Sequence, residues 1–331
     1  MYLEFYGLKE KPFESAPDPK YFFTSSKHKA ALSYLEYGFL NNLSFIMITG
    51  EPGTGKTILI KKFLSQVQGG IIGVITNTNL NTLEFIQAVL QEYNINYDKD
   101  ETKAQLLDKL HNFLMEKCKN NQPAILVVDE AQNLSVEVLE ELRMLSNFQT
   151  NNKHLLQIIL TGQPNLRSKL LHPSLKQLLQ RITLNYHLFP LDRKETFAYI
   201  KHRLQVAGAI NTDIFSEEAI ELIFEHSGGV PRLINAICDA ALVYGFVDEL
   251  KTITKDVVSD VIGELFSHKM PEIEETIKTQ EKESSLTDNS LKQIDLRLKN
   301  LEKNVYELLQ KTITLLDRLV LMLDRINRER R

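Results

Sequence analysis

A glycine-rich segment that directly follows an apolar run is the strongest chemical signal in the sequence. It fits the pattern GxxxxGK(S/T) and consists of Gly50, Glu51, Pro52, Gly53, Thr54, Gly55, Lys56 and Thr57. Glycines let the backbone curl so that successive N–H groups point at phosphate oxygens, and the helix that follows adds its positive end. We expect Lys56 to reach the β- and γ-phosphates of a nucleotide, the Thr57 hydroxyl to bind Mg²⁺, and Ile58 to close the nucleotide-binding segment.

Two acids stand at the end of a second apolar run, Ala124–Val128. A buried strand at this position would carry Asp129 to the carboxyl edge of a parallel sheet, beside Thr57 and its metal ion. Glu130 follows one residue later, where its carboxylate can polarise a water aimed at the γ-phosphate. The two acids therefore predict metal-assisted hydrolysis of a nucleoside triphosphate. An apolar run before Asp-Glu is, on its own, usually a plain strand end.

Four further residues are weaker candidates. Thr161 and Gln163 follow the apolar run Leu155–Leu160, so that either can lie at the same sheet edge and hydrogen-bond the attacking water or the γ-phosphate. Arg181 closes a helical segment just before the last strand, where its guanidinium can project out of the core. Arg232 opens a helix after a Gly-Gly-Val-Pro turn and can reach back to the nucleotide. The alternative interpretations are ordinary turn chemistry for the first pair and surface cations for the arginines.

These residues need a sheet to bring them together, and five short apolar runs predict one. They are Ser44–Thr49, Ile71–Thr76, Ala124–Val128, Leu156–Thr161 and Ile182–Leu188. Helix-periodic segments separate the runs, which is typical of a doubly wound α/β core with a mostly parallel sheet, here over residues 1–190.

The sequence pattern of residues 191–266 predicts helices and no strands. Asp192 with Glu195 forms a capping pair, Ser216 caps the next helix, Gly228-Gly229 ends it, and Pro231 suits a first helical turn. A small all-α domain therefore follows the sheet.

The last fifth of the chain differs again. Residues 267–288 are acidic and poor in large apolar residues, as expected of a solvated linker. Residues 289–331 carry a heptad repeat with Leu291, Leu298, Val305, Thr312, Leu319 and Ile326 at a, and Ile294, Leu301, Leu308, Leu315 and Met322 at d. A coiled coil is the favoured interpretation, with an amphipathic helix packed on the protein's own core as the alternative. Leucines at three e positions widen the stripe, which favours a larger bundle or a docked partner.

Composition excludes several classes of protein. The 331 residues include 39 Lys and Arg against 43 Asp and Glu, a net charge of −4, which argues against a globally basic nucleic-acid coat. The two cysteines, Cys118 and Cys238, are far apart and indicate neither a disulfide framework nor a zinc site. The sequence contains no uninterrupted apolar stretch of about 18 residues. We interpret the chain as a cytoplasmic protein without a membrane span.

Several ordered blocks resemble AAA+ ATPases. GEPGTGKT is similar to Walker A, ILVVDE to Walker B, LLQIILTGQP to the sensor 1 strand, LLQRI to the segment with an arginine finger, and GGVPR to the sensor 2 helix of an all-α lid. More narrowly, VVDEAQNLS, LTGQPNL, QRITLNYHLFPLDRKET and SGGVPRLINAICDAAL resemble ExeA/GspA-type secretion and pilus-assembly ATPases. That group includes MshM-like proteins and is related to TniB/TnsC-type transposition ATPases. The resemblance covers about residues 1–266.

The resemblance implies a P-loop fold with a three-layer αβα core, and ATP with Mg²⁺ bound between subunits of a ring or filament, such as a hexamer. It assigns Gln163 to sensor 1, with Thr161 as second choice, Arg181 to the γ-phosphate of a neighbouring subunit, and Arg232 to nucleotide sensing in its own subunit. ExeA-like proteins typically continue into a transmembrane segment and a peptidoglycan-binding region. Here an acidic linker and a coiled coil take that place, so the peptidoglycan role is not carried over.

Three functions remain open from the sequence. The leading hypothesis is an ATPase that remodels or positions a secretion, pilus or export machine and recruits a protein partner through its coiled coil. The second is a transposition-type ATPase that polymerises on duplex DNA, with phosphate contacts from Lys27, Lys29, Lys61 and Lys62. The third is a scaffold that switches with its nucleotide and turns over slowly.

Overall fold

The computed structural model describes residues 2–267 except 15, 99 and 151–152, and the side chains of 266 and 267 are not described. Five strands form one parallel sheet: β1 (Phe45–Gly50), β2 (Ile71–Ile75), β3 (Ala124–Val128), β6 (Leu156–Gly162) and β7 (Ile182–Leu188). Their order across the sheet is β2-β3-β6-β1-β7. Two further strands, β4 (Gln149–Thr150) and β5 (Lys153–His154), pair in a small antiparallel ladder.

Helices cover both faces of the sheet because neighbouring strands run parallel and need crossover connections. Those of the core region are α2 (Ser26–Leu40), α3 (Lys56–Leu64), α4 (Thr82–Glu92), α5 (Lys103–Lys119), α6 (Val136–Leu145), α7 (Asn165–Leu170) and α8 (Lys176–Arg181). In β1, Phe45 and Met47 pack into one apolar cluster, while Ile46 and Ile48 pack into another on the opposite face. The predicted parallel sheet is thus confirmed, and β1, β3 and β6 are buried along their whole length.

The carboxyl ends of the central strands meet at one edge. Thr49 of β1 lies opposite Gly162 of β6, and Val128 of β3 lies opposite Leu160 of β6. The residues that follow these positions are therefore neighbours in space although they are distant in sequence. This register brings the glycine-rich segment, the acids after β3 and the polar residues at the end of β6 to one place.

Beyond β7 the described chain forms helices α9 (Arg193–Val206), α10 (Glu217–Ser227), α11 (Pro231–Val247) and α12 (Lys255–Ser267), which we call the lid. The expected caps are present: Asp192 and Glu195 form a capping box, the Ser216 side chain accepts a hydrogen bond at the start of α10, and Pro231 stands in the first turn of α11. The predicted linker and coiled coil, residues 267–331, lie outside the described residues, apart from the backbone at 267.

The N-terminal segment, residues 2–14, begins with α1 (Tyr2–Phe5) and packs against the lid. The Tyr2 hydroxyl donates to Asp239 Oδ1 at 2.9 Å, and the Tyr6 hydroxyl donates to the carbonyl oxygen of Leu250 at 2.9 Å. The Lys9 N–H donates to the Ala207 carbonyl at 2.8 Å. Among the described residues, 2–267 with their gaps, no helix is both long enough and apolar enough to cross a bilayer.

Candidate nucleotide-binding site

The glycine-rich segment forms a tight loop between β1 and α3. Gly53 has φ +84° and Gly55 has φ +100°, values at which an L side chain is strained. A Cβ atom on Gly53 would lie 2.6 Å from Arg232 Cβ, and one on Gly55 would lie 2.9 Å from His28 Nε2. Both positions therefore require glycine, because the loop turns through left-handed backbone while other elements pack closely against it.

Lys56 lies at the start of α3 and is only 5% exposed. Its ammonium donates to the carbonyl oxygens of Gly50 at 2.8 Å and Glu51 at 3.1 Å. Burial lowers the pKa of Lys56, and the charges of Glu130, Asp129 and Glu51 act against that shift. Among the described residues no carboxylate forms an ion pair with this ammonium. The cation is thus held by neutral oxygens in a place where an anionic ligand would be favoured.

Asp129 connects three elements at the sheet edge. Its Oδ2 accepts from the Thr57 hydroxyl at 2.9 Å, and its Oδ1 accepts from the Glu130 N–H at 2.9 Å and from the Thr161 hydroxyl. A carboxylate beside a hydroxyl is a donor set that suits Mg²⁺, which prefers a few hard oxygen ligands and retains several waters. The residues present therefore fit the ion that the sequence predicts.

Glu130 adopts left-handed backbone, with φ 51° and ψ 38°. Its Oε2 accepts hydrogen bonds from Gln132 Nε2 at 2.5 Å and from Gln163 Nε2 at 3.4 Å. Non-glycine residues rarely adopt this conformation, and such strain is concentrated at functional sites. The strained turn directs the Glu130 side chain to the cavity that also contains Lys56 and Thr57.

Thr161 and Gln163, the two sensor 1 candidates, contact different acids. Thr161 is buried and bonds to Asp129, whereas Gln163 follows the end of β6 and bonds to Glu130. The structure thus places both at the sheet edge, each beside one of the two acids that follow β3.

The two candidate arginines lie in different places. Arg232, near the start of α11, lines the cavity, and its N–H donates to the Gly53 carbonyl at 3.3 Å. Arg181 ends α8, and its guanidinium donates to Ser146 Oγ at 2.6 Å and to Asn147 Oδ1 at 2.6 Å. The structure therefore brings Arg232 to the glycine-rich loop of its own chain and leaves Arg181 apart from it.

The cavity has a volume of about 400 Å³ and lies between the glycine-rich loop, residues 14–23 and the lid. Among the lining residues that were not predicted from the sequence are Tyr21, His28, Tyr199 and Arg203. His28 is buried, and its Nδ1 is hydrogen-bonded to Ser25 Oγ at 2.7 Å. Burial lowers the pKa of this imidazole. Its one sequence signal is a position in the first turn of α2, three residues after the capping Ser25.

Arg203 joins the N-terminal segment to the lid at the back of this cavity. It is 6% exposed, and its guanidinium donates to the carbonyl oxygens of Pro12 and Glu14 and to the Tyr199 hydroxyl. The guanidinium carbon also lies 4.6 Å from the centre of the Tyr21 ring. Arg203 is thus a buried cation between aromatic rings, and the one sign of it in the sequence is its position four residues after Tyr199, on the same helix face.

Of the lysines considered for DNA contacts, Lys27 is engaged within the chain. Its ammonium donates to Glu195 Oε2 at 3.1 Å and to the Pro190 carbonyl at 2.8 Å. Lys29 and Lys61 are exposed, and Lys62 is half-buried. The four lysines thus do not form one equally available set of cations.

Comparison with known proteins identifies the type of domain. The model of a family described as an AAA domain matches residues 41–170. General secretion pathway protein A of Aeromonas hydrophila is 42% identical over 247 residues, which cover 74% of this chain and 45% of that protein. The chain thus spans less than half the length of this relative.

Solved structures share the fold at low sequence identity. Cdc6p of Pyrobaculum aerophilum aligns with a TM-score of 0.60 and 18% identity, over 76% of this chain and 70% of that one. The Thermotoga maritima RuvB Holliday junction branch migration motor aligns with a TM-score of 0.51 and 22% identity, over 76% and 72%. Both are evidence for the fold alone.

Proposed function

We propose that this chain, which belongs to the AAA+ ATPases of the General secretion pathway protein A family, binds ATP together with Mg²⁺. It hydrolyses the ATP in the cavity between the glycine-rich loop and the lid. One observation carries the proposal: Lys56, Thr57, Asp129 and Glu130 converge at one sheet edge, although two chain segments more than 70 residues apart supply them. Each of them supplies a group that phosphoryl transfer requires.

The roles follow from the contacts. Backbone N–H groups of residues 50–58 and the Lys56 ammonium hold the phosphates, and the ammonium exchanges the carbonyls of Gly50 and Glu51 for phosphate oxygens. Thr57 and Asp129 would hold Mg²⁺, which neutralises charge on the phosphates when bound. Thr161 orients the Asp129 carboxylate by its hydrogen bond. Glu130 polarises the attacking water, and Gln163 orients Glu130 or the γ-phosphate beside it.

The lid supplies the other side of the site. Arg232 lies next to Gly53, so that its guanidinium can reach the phosphates and report their presence to α11. The aromatic residues Tyr21 and Tyr199 and the buried Arg203 form the end of the cavity beside residues 16–23 and α9. Flat rings and a cation suit a nucleobase, and we assign the base to this end of the cavity.

Arg181 would act on a nucleotide bound by a neighbouring copy. In the single chain it donates hydrogen bonds to Ser146, to Asn147 and to the carbonyl oxygen of Arg143, three neutral partners that it can exchange for a γ-phosphate. An arginine supplied from another subunit stabilises charge in the transition state only after assembly. Hydrolysis would then depend on formation of a ring or filament.

The biological setting follows from the relative. Because the 42% identical protein is named for the general secretion pathway, we propose that this chain serves a secretion or related export machine. Residues 289–331, outside the described part, are the proposed contact to a protein partner.

The test is ATP turnover by the purified full-length chain. We expect Mg²⁺-dependent release of phosphate that Glu130→Gln lowers by about 10²-fold or more while ATP binding persists. Glu225→Gln, an exposed lid position with the same chemical change, is the matched control and should retain full turnover. Absence of Mg²⁺-dependent turnover in the unchanged chain, or unchanged turnover in Glu130→Gln, would refute the proposal. An added duplex DNA sample tests the DNA-dependent alternative, which requires salt-sensitive stimulation.

A further inference from the structure

Gln132 is a buried polar residue in the short turn after Glu130. The turn comprises Ala131–Asn133, and the Gln132 side chain is 8% exposed. Its Nε2 donates to Glu130 Oε2 at 2.5 Å, and its Oε1 accepts from the Gln163 N–H at 3.0 Å. One amide thus links the proposed water-polarising acid to the backbone at the end of β6.

The chemistry of the two partners sets the orientation of this amide. A carboxylate only accepts hydrogen bonds, and a backbone N–H only donates. Turning the Gln132 amide over would place oxygen against oxygen at Glu130 and nitrogen against nitrogen at Gln163. Both contacts therefore favour the same orientation of the amide, and in this one orientation the side chain makes both hydrogen bonds.

The surroundings make room for Gln132 and hold its turn. A Cβ atom on Gly162 would lie 2.8 Å from Gln132 Oε1, so that glycine at this position leaves space for the amide oxygen. The Lys169 ammonium donates to the carbonyl oxygen of Gln132 at 2.9 Å and also to that of Leu134. Gly162, Gln163 and Lys169 all belong to the segment that ends β6 and continues into α7. That segment therefore fixes both the backbone and the side chain of Gln132.

We propose that Gln132 is a positioning residue for Glu130. It holds Oε2 of the carboxylate by a short hydrogen bond and leaves Oε1 to accept from the attacking water. Among the described residues no hydrogen bond is made to Oε1. The backbone of Glu130 is strained, so the side chain needs such a restraint to keep one orientation. The proposal rests on the proposed ATPase function, because it assigns Gln132 a part in water activation by Glu130.

A second consequence concerns communication. Gln132 accepts from the Gln163 backbone while Gln163 Nε2 donates to Glu130. A shift of the segment after β6, as on loss of the γ-phosphate, would therefore move Gln132 and release Glu130. Gln132 makes the orientation of the acid depend on this segment.

The test separates catalysis from binding. Gln132→Met keeps the length of the side chain and removes both hydrogen bonds. We expect kcat to fall about tenfold or more, because general-base catalysis contributes a rate factor of about 10²–10⁴ and the variant loses the orientation of the base but keeps the base itself. The Kd for a fluorescent ATP analogue should stay within about twofold of that of the unchanged chain. Gln205→Met, at an exposed position of α9, is the matched control and should alter neither quantity.

A double-mutant cycle tests whether Gln132 acts through Glu130. In a Glu130→Gln background, Gln132→Met should have no further effect on single-turnover hydrolysis, because the group that it positions is already absent. Gly162→Ala is a second variant that displaces the amide without changing it and should lower kcat in the same way. It keeps the test decisive if Gln132→Met fails to fold, as judged by its melting temperature.

The outcomes are distinguishable. If the unchanged chain has no turnover, the proposed function fails and the role of Gln132 fails with it. If the unchanged chain turns over ATP and Gln132→Met or Gly162→Ala does so at the same rate, the role of Gln132 alone is refuted. A parallel loss of ATP binding and kcat, or an additive effect in the Glu130→Gln background, would also overturn it.

Discussion

Replacement of Gly53 by alanine tests whether the lid reports on the nucleotide through the glycine-rich loop. Gly53 has φ +84°, and an added Cβ would lie 2.6 Å from Arg232 Cβ and 3.2 Å from Val230 Cγ1. Gly69 offers a matched control, since it has φ +69° and nothing within 4 Å of an added Cβ. Gly69→Ala therefore introduces the same kind of backbone strain without a new contact.

The expected magnitudes follow from these distances. Left-handed backbone costs an alanine roughly 1–2 kcal/mol, and both variants should lose about this much free energy of unfolding. At Gly53 the lid must also retreat, because an ordinary contact begins at 3.4 Å and the added Cβ lies at 2.6 Å, a difference of about 0.8 Å. The hydrogen bond from the Arg232 N–H to the Gly53 carbonyl, already 3.3 Å long, would then be lost. One such bond contributes about 1 kcal/mol, so ATP affinity should fall about fivefold.

The assay compares ATP Kd and urea unfolding for the two variants and the unchanged chain. We expect similar losses of stability from backbone strain, with an additional loss in Gly53→Ala, and a weaker ATP Kd in Gly53→Ala alone. Equal ATP affinities for Gly53→Ala and Gly69→Ala would refute the reasoning, because an alanine at Gly53 lies in the proposed phosphate-binding loop and meets the lid, whereas one at Gly69 does neither.

Two further predictions concern acid stability and assembly. Burial alone would raise the pKa of Glu195, but hydrogen bonds from Ser26, Asp192 and Lys27 outweigh it and lower the pKa to about 2. The ionised Glu195 carboxylate therefore stabilises the folded chain fully near neutral pH, and this contribution is lost as the pH falls from about 4.5 towards 2. Urea unfolding measured against pH should show the loss in the unchanged chain, and Glu195→Gln should lack it. Because Arg181 would act on a neighbouring subunit, ATP turnover per subunit should rise with protein concentration in the unchanged chain and not in Arg181→Ala. Arg167→Ala changes an arginine at an exposed position and should behave as the unchanged chain does.

The sheet could be predicted well from the sequence. All five apolar runs are strands, and the bounds differ by one residue at most: the first strand runs Phe45–Gly50 against the predicted Ser44–Thr49. The three central strands, β1, β3 and β6, are buried throughout and form continuous apolar runs because both of their faces pack against helices. The caps of the lid helices were equally local, since a cap and its partner are three residues apart.

The far end of the cavity could not be predicted because its contacts are distant in sequence. Arg203 bonds to Pro12, 191 residues earlier, and Tyr199 lies across the same cavity from Tyr21. Neither segment has a pattern that identifies the other. The role of Gln132 was hidden for another reason: its position beside Glu130 is local, but the direction of its amide depends on Gln163 and on the space at Gly162.

The packing of the N-terminal segment on the lid has a mechanical consequence. Residues 2–14 are bonded to α9, to α11 and to the Leu250 carbonyl, so a lid that swings takes this segment with it. The segment and the lid are therefore joined to the sheet by the chain in two places, at residues 16–25 and at residues 189–192. Ser26 and Lys27, at the start of α2, add hydrogen bonds to Glu195 of the lid. Any movement of the lid relative to the sheet would thus strain both connections at once, so the N-terminal segment limits the movements open to the lid.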